Sequence, residues 1–381
     1  MIFVDATPLQ SEHRFRGVGT YVESLSQGLL ELAPDRIRFV LATNTLEAVA
    51  PAILAQAGFR AYRPHRPAQV YWLYNELFLR RALWTAKARL FHATDFNGVV
   101  RVPGVLTVAT LHDLTPLKER PASPASCHPS QILSQWRWHA YFRKLRTVHH
   151  IIAVSHQVKA DAVRLLNIPP ERISVIYPGL DLAKFQRAWP PPPHLPGARY
   201  FLAVGPREPQ KNYDRLLQAF REVSRQLPDV KLAIVGRWQD DDVDWLSRTL
   251  AAWRLHGRVV YLGYVPEPLL LALLQHALAL VYPSLAEGFG LPIVEAMALG
   301  TPVITSNLGA PQEVAGSSAL LVNPHDPSAI AAGMRQLATL PRLRRDYGAR
   351  GLRWSRRFSW RAAADKTLGV YDALLRARPL A

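Results

Sequence analysis

The chain has 381 residues, of which 49% are hydrophobic, and a formal net charge of +17. Its length exceeds what one hydrophobic core usually organises, so we expect two domains. Such a charge suits a nucleic acid, an anionic membrane or a phosphorylated small molecule. The sequence shows neither zinc-ligand spacing nor the aromatic signature of an RNA-binding sheet, so we expect no nucleic-acid partner.

The single cysteine and the absence of long apolar runs indicate where the protein works. Cys127 cannot form an intramolecular disulfide or a cysteine metal site, which favours a cytoplasmic location. The first residues read as a strand and not as a secretion signal. The longest apolar run, 269–282, is interrupted by Gln275 and His276 and falls short of the ~18 residues that a membrane-spanning helix requires.

Strand-like and helix-like segments alternate through the first half of the chain. Apolar runs predict strands at 2–4, 39–43, 90–92, 106–111, 151–154 and 173–177. Helical spacing covers 18–32 and 132–148, and a further helix is predicted after Ser155, a candidate N-cap. This alternation is typical of a parallel sheet covered by helices on both faces.

A proline-rich stretch then precedes a second series of the same kind. Prolines 190–193 and 196 are incompatible with a helix interior or a central strand, so 181–197 is predicted to be a stiff linker. Beyond it, a helix is predicted at 212–226 and strands at 200–204, 232–235, 259–262, 277–282, 302–305 and 319–322. The sequence therefore predicts an α/β fold with two doubly wound Rossmann-like domains, 1–180 and 198–359.

The residues from Glu287 to Glu295 place two carboxylates on either side of a glycine turn. Gly288 and Gly290 let backbone N–H groups approach an anion where a helix over 291–299 begins. Both carboxylates can face the same crevice and accept hydrogen bonds from hydroxyls. A phosphate-binding turn between two hydroxyl acceptors predicts a nucleotide-sugar site. The alternative is a loop whose glycines serve only the turn and whose glutamates are solvated.

The segment 281–307, VYPSLAEGFGLPIVEAMALGTPVITSN, resembles the signature of retaining GT-B glycosyltransferases of family 4, specifically the RfbU-like mannosyltransferases. The resemblance implies two Rossmann-like domains that face each other across a cleft, with the terminal helix, 360–381, packing back on the N-terminal domain. It also implies transfer of a sugar, with mannose the expected one, from GDP-mannose or a UDP-sugar. In this family the departing phosphate takes the acceptor's proton on the same face of the ring, and no metal or other cofactor is needed.

The resemblance assigns roles to the residues around this turn. Glu287 is expected to bind hydroxyls of the transferred sugar and Glu295 those of the nucleotide ribose. Backbone groups that contact the donor phosphates are expected at Gly288, Phe289, Gly290 and Leu291.

A second segment, 204–212, resembles the family's glycine turn, which leads into an Arg-Lys pair that clamps the diphosphate. Gly205 is the turn glycine and Lys211 is the cation. A cation already in place stabilises the charge that accumulates on the leaving diphosphate in the transition state. Gln210 stands where the family commonly has arginine, so Arg207 is a candidate for the second cation.

Two positions in the first domain are also implied by the resemblance. Gly17 and Gly19 match a glycine-rich loop near the donor phosphates, and the alternative is a plain helix entry. His112 follows the strand 106–111 in the family-like segment Thr-Leu-His-Asp-Leu and is expected to hydrogen-bond the transferred sugar. Asp113 is expected to hold the imidazole or contact the acceptor.

The acceptor is predicted from charge and aromatic content. The segments 72–87 and 136–146 interleave aromatic and basic residues, as helices that lie in a lipid headgroup layer do. The alternative is ordinary core rings beside solvated cations. We expect a saccharide or a polyprenyl-diphosphate-linked saccharide acceptor in cell-surface polysaccharide synthesis, with a peripheral location at the inner membrane face.

Two other functions fit parts of this sequence. A nucleotide-sugar epimerase can share the two-domain architecture. A non-catalytic nucleotide-sugar-binding protein is suggested by Gln210 alone.

Overall fold

The structure is a computed structural model that describes residues 1–10, 17–42, 49–61, 75–118, 138, 142–193, 195 and 197–377. It divides into two compact units. The first comprises Met1–Gly179 and Ser359–Ala381, and the second comprises Leu180–Phe358. Each unit contains one parallel sheet with helices, so the predicted α/β class is confirmed.

The first unit is built on a parallel sheet of buried apolar strands. Its strands are β1 Ile2–Asp5, β2 Ile37–Ala42, β3 Ala57–Ala61, β4 Leu90–Ala93, β5 Leu106–Leu111, β6 His150–Ala153 and β7 Ile173–Val175. Their order is β3-β2-β1-β4-β5-β6-β7, and every adjacent pair is parallel. The strand order reverses beside β1, and ligands of such sheets bind beyond the carboxyl ends of the strands at this point.

The helices that the structure describes in the first unit include two, at 17–32 and 156–166, that helical spacing predicted. They are α1 Gly17–Leu32, α2 Pro51–Ala55, α3 Arg80–Thr85, α4 Thr115–Lys118 and α5 His156–Leu166. Ser155 caps α5 as predicted, because its side chain accepts the Val158 N–H at 3.1 Å. Most of the predicted helix 132–148 lies outside the described residues.

The second unit repeats this plan with a shorter sheet. Its strands are β8 Arg199–Val204, β9 Val230–Val235, β10 Val259–Tyr261, β11 Ala279–Tyr282, β12 Val303–Ser306 and β13 Leu320–Val322. The order is β10-β9-β8-β11-β12-β13, again with parallel neighbours. Here the order reverses between β8 and β11, so the loops after these two strands meet at one edge of the sheet.

Helices of the second unit include one inside the proline-rich segment. They are α6 Leu182–Phe185, α7 Tyr213–Gln226, α8 Asp240–Trp253, α9 Glu267–His276, α10 Leu291–Ala298, α11 Gly309–Ala315, α12 Pro327–Thr339 and α13 Pro341–Ser355. The segment 181–197, predicted as a linker, belongs to this unit. Its Trp189 N–H donates to the Gln275 side chain at 2.7 Å, and His276 Nε2 donates to the Trp189 carbonyl at 2.9 Å.

The last helix, α14 Trp360–Ala377, belongs to the first unit, as the resemblance implies. It packs on α1 so closely that a Cβ at Gly28 would lie 3.0 Å from the Ala364 Cβ. The Tyr371 hydroxyl bonds His92 Nδ1 at 2.5 Å, and His92 Nε2 bonds the Thr110 hydroxyl at 2.8 Å. Burial, with the nearby His112, lowers the pKa of His92 to about 3, so this imidazole is neutral.

Among the described residues, no helix is long and apolar enough to span a membrane. In the same part of the chain, no group of three or more histidine, cysteine, aspartate or glutamate side chains is arranged to hold a metal ion.

We predict that Tyr371→Phe destabilises the protein by about 1–3 kcal/mol, because it leaves a ring nitrogen of the buried His92 without its partner. Urea denaturation measures the change. The half-buried Tyr347 on α13 supplies the control, and Tyr347→Phe should change stability by less than about 0.5 kcal/mol. Equal stabilities of the two variants would contradict the prediction.

Candidate functional site

Lys211 and Glu287 form an ion pair at the carboxyl edge of the second sheet. Lys211 ends a short 3₁₀ turn after β8, and Glu287 lies in the loop between β11 and α10. The Nζ–Oε1 distance is 2.7 Å, and the two side chains are only 14% and 12% exposed. The alternative of a solvated Glu287 is therefore wrong.

Tyr282, the last residue of β11, completes this group. Its hydroxyl accepts a hydrogen bond from Lys211 Nζ at 2.6 Å. Burial alone would lower the pKa of Lys211, but the Glu287 carboxylate and the Tyr282 hydroxyl outweigh it and raise the pKa above its ordinary value. Burial raises the pKa of Tyr282 as well. The group therefore holds an ammonium, a carboxylate and a neutral phenol.

Gly205 makes room for the lysine stem. Its φ of +131° lies in a region that side chains rarely adopt, and a Cβ here would lie 3.3 Å from Lys211 Cε. The Gly205 carbonyl accepts hydrogen bonds from the Tyr213 hydroxyl at 2.8 Å and from Trp238 Nε1 at 3.0 Å. The turn that the sequence predicted is thus held in place by two buried aromatic residues.

Asn212 ties the lysine turn to the loops after β11 and β13. It is buried, has a φ of +61°, and donates from Nδ2 to the Pro283 carbonyl at 3.0 Å and the Pro324 carbonyl at 2.7 Å. The Leu285 N–H also donates to the Gln210 carbonyl at 2.8 Å. Because these bonds connect the two loops directly, Lys211 and Glu287 are held at a fixed separation.

The glycine turn before α10 has the predicted geometry. Gly290 has a φ of +96° and precedes the helix, whose first turn contains Pro292. The first N–H groups of a helix have no acceptor within the helix, so those around Leu291 can bind an anion. The Phe289 ring is buried and packs edge-on against Phe358, with centroids 5.6 Å apart. Phe289 therefore anchors the turn in the core.

Glu295 lies in the second turn of α10. Burial and, less strongly, the charge of Glu267 raise the pKa of its carboxyl to about 7, and Lys184 opposes the shift. Lys184 forms an ion pair with Glu267 at 3.2 Å. The Glu295 carboxyl thus titrates near neutral pH, and it accepts hydrogen bonds at both oxygens only when it is ionised.

The Arg207 side chain contacts two residues of the helix α8. Its Nη1 donates to Asp242 Oδ1 at 2.9 Å, and its guanidinium lies 3.8 Å from the ring centroid of Trp245, both on α8. Gln210 donates to the Glu208 carboxylate at 2.6 Å. The cation that the structure brings to Glu287 is Lys211, and the role of Arg207 as a second phosphate ligand stays a prediction.

The predicted site residues of the first unit lie in two places, the first turn of α1 and the carboxyl edge of the sheet. Gly17 begins α1, and Gly19 is buried within its first turn. His112 directly follows β5, and its Nε2 donates to the Thr94 carbonyl at 2.9 Å. A carbonyl only accepts, so Nε2 carries the ring proton. The rings of Tyr21 and His112 are nearly perpendicular, with centroids 4.8 Å apart.

The Asp113 side chain accepts a backbone hydrogen bond in the first unit. Its Oδ1 accepts the Thr115 N–H at 3.0 Å and so supports the start of α4. The predicted contact of Asp113 with the acceptor is not tested by this geometry.

Comparison with known proteins assigns the chain to a family. The model for "Glycosyltransferase Family 4" matches residues 15–184, and that for "Glycosyl transferases group 1" matches 187–354. O-antigen chain mannosyltransferase B of Escherichia coli is 31% identical over an alignment of 325 positions that covers 79% of each chain. The chain belongs to glycosyltransferase family 4.

One further relative of this glycosyltransferase and one solved structure of similar fold extend the comparison. The O-antigen chain mannosyltransferase RfbU of Salmonella typhimurium is 30% identical over 62% of this chain and 65% of its own. The Anabaena protein HepE, solved in complex with UDP and glucose, superposes with a TM-score of 0.74 at 18% identity, over 98% of this chain and 99% of its own. The GT-B fold class implied by the sequence is confirmed.

Four residues of this glycosyltransferase's site were not predicted from sequence: Asn212, Tyr213, Trp238 and Tyr282. Asn212 carries a local signal, because an asparagine before a helical pattern is a common cap and tolerates a positive φ. The three aromatic residues carry none, since buried rings near strand ends usually fill the core.

The raised pKa of Glu295 predicts a pH-dependent stability. The folded carboxyl binds its proton more tightly than the unfolded one, so this stabilisation is present at low pH and is lost as the pH rises through about 7. The wild type should therefore lose stability relative to Glu295→Gln as the pH rises from about 5 to about 8. The melting temperature of the variant minus that of the wild type should increase over this range. Glu171→Gln, at an exposed glutamate, is the control, and a constant difference for Glu295→Gln would contradict the prediction.

Proposed function

We propose that this glycosyltransferase moves mannose from a nucleotide diphosphate to a saccharide acceptor with retention of configuration. The observation that carries the proposal is the largely buried Lys211–Glu287 pair, which lies close to the first turn of α10. It combines a cation, a hydroxyl acceptor and a helix N-terminus, which are the groups that a diphosphate and a sugar ring require.

Lys211 and α10 would carry the electrostatic part of the reaction. As the bond to the sugar breaks, negative charge grows on the leaving diphosphate, and an ammonium already in place stabilises that charge. The same charge would be neutralised without a metal ion, which is why we propose metal-independent transfer. The departing phosphate would take the acceptor's proton on the same face of the ring, so paired carboxylates of the glycosidase type are not required.

Glu287 and Glu295 would recognise hydroxyl groups. Glu287 is proposed to accept hydrogen bonds from the sugar and not to act as a nucleophile, because one of its oxygens already accepts from Lys211 Nζ. Glu295 is proposed to accept from the ribose. His112 keeps the role implied by the resemblance, a hydrogen bond to the transferred sugar.

Relatives support the class of donor. The name of the 31% identical Escherichia coli protein supports mannose as the sugar. The UDP and glucose in the HepE complex support a nucleoside diphosphate as the leaving group. We therefore propose GDP-mannose or a UDP-sugar as the donor.

The acceptor proposal rests on an exposed surface of the first unit, residues 77–87. Phe78 and Trp84 are 62% and 68% exposed, and they lie beside the exposed Arg80, Arg81 and Lys87. Exposed rings among cations favour insertion into an anionic headgroup layer. We propose that this surface brings the enzyme to the inner membrane face, where a polyprenyl-diphosphate-linked saccharide is the acceptor.

The second aromatic segment does not add to this surface within the described residues. Phe142 is fully buried, and its ring packs on Phe96 and Trp138 with centroids 4.9 and 6.0 Å apart. For Phe142 the core alternative is correct.

Substitutions at the ion pair test the donor site. Glu287→Gln should lower transfer by about 100-fold, because a sugar hydroxyl loses its ionised acceptor. Lys211→Met should weaken binding of GDP or UDP by at least about tenfold, since a charge-assisted bond to phosphate is lost. Calorimetry and product formation from each donor measure these effects, and Lys366→Met, at an exposed lysine of α14, is the control.

The same assays separate the alternatives. Nucleotide release that requires an acceptor, persists in EDTA and gives an α-linked product from an α-linked donor supports retaining transfer. Interconversion of the nucleotide sugar without acceptor would support an epimerase, and tight binding without transfer or hydrolysis would support a non-catalytic protein.

Vesicle flotation tests the membrane proposal. The wild type should float with phosphatidylglycerol vesicles and not with phosphatidylcholine vesicles, since cations and rings act together. The double variant Phe78→Ser with Trp84→Ser should float less. The pair Leu340→Ser and Leu352→Ser, at exposed leucines of the second unit, is the control. Failure of the wild type to float at moderate salt would defeat the membrane proposal.

A further inference from the structure

The Lys211 side chain is held from two directions. Lysine has a long flexible stem, and fixing it in one geometry costs up to about 2 kcal/mol of rotamer entropy. Its Nζ donates to Glu287 Oε1 at 2.7 Å and to the Tyr282 hydroxyl at 2.6 Å. Because an ammonium carries three N–H bonds in a tetrahedral arrangement, these two contacts fix the direction of the third.

The two partners of Lys211 differ in what supports them. Glu287 lies on an irregular loop, and the proposed reaction assigns it to sugar hydroxyls. Tyr282 ends a strand that is hydrogen-bonded to its neighbours on both sides. The Tyr282 carbonyl also accepts from the buried Thr305 hydroxyl at 2.8 Å. Tyr282 is therefore the rigid partner.

The Tyr282 ring also lies beside the cation. Lys211 Nζ is 4.9 Å from the ring centroid and 2.6 Å from the hydroxyl oxygen, so the ammonium lies off the hydroxyl end of the ring and contacts the phenol through that oxygen. Burial keeps the phenol neutral by raising its pKa, so the hydroxyl accepts from the ammonium without cancelling its charge. Tyr282 thus holds the lysine and leaves the charge available, whereas Glu287 neutralises it.

We infer that Tyr282 is the positioning residue of the donor-phosphate site: its hydroxyl aims the third N–H of Lys211 at the diphosphate and keeps it aimed when Glu287 bonds to the sugar. This inference rests on the proposed function. It assigns Tyr282 to the phosphate furthest from the nucleoside, whose oxygen is bonded to the sugar and takes up the negative charge when the nucleoside diphosphate leaves.

The test compares nucleoside diphosphates with monophosphates by calorimetry. Tyr282→Phe keeps the ring and removes the hydroxyl, so it should weaken GDP or UDP binding by about tenfold. Binding of GMP or UMP should be unchanged. The matched control is Tyr200→Phe: the hydroxyl of this buried tyrosine of β8 also makes a hydrogen bond, which it donates to the Leu273 carbonyl at 2.8 Å, away from Lys211. It should lower the melting temperature without changing the preference for the diphosphate.

Each outcome decides the inference. Unchanged diphosphate affinity in Tyr282→Phe would overturn it and leave the donor proposal intact. An equal loss for monophosphate and diphosphate would show a general structural effect and would also overturn it. If the wild type binds neither GDP nor UDP, the proposed donor fails and the inference fails with it.

Discussion

The second unit is organised around a lysine and a glutamate that are withdrawn from water together. A charge in such a place is costly unless its partner is close and well oriented, and removing one partner of a buried pair typically costs about 3–5 kcal/mol. The loops that carry Lys211 and Glu287 must therefore be held at a fixed separation. Asn212 connects these loops, and Tyr282 gives the ammonium a second acceptor from a rigid strand.

The glycine positions follow from the same constraint. Gly205 is needed because the lysine stem passes close to its backbone, and its carbonyl is fixed by two buried aromatic donors. Gly290 has a positive φ and brings the first turn of α10 to the same edge of the sheet. Two loops and a helix end thus converge because β8 and β11 are neighbours at the point where the strand order reverses.

Buried polar groups in the first unit obey the same rule without a charge. His92 is neutral and bonds Tyr371 on one side and Thr110 on the other, which joins α14 to the strands. Glu295, in the second unit, shows the opposite case. Lys184 only partly offsets the effect of burial on its carboxyl, so the pKa is raised to about 7. That difference makes the Glu295 carboxyl sensitive to pH near neutrality.

The sequence by itself determined the α/β class, most strand positions, the cap at Ser155 and the residues of both glycine turns, because these depend on periodicity and on short motifs. It did not predict that 181–197 packs on the second unit, since the contacts of Trp189 reach α9 more than eighty residues away. Only the tertiary structure decided which groups meet Lys211. Glu287 and Tyr282 are 76 and 71 positions distant, and no local pattern specifies such a contact. The sheet specifies it, by placing the ends of β8 and β11 side by side.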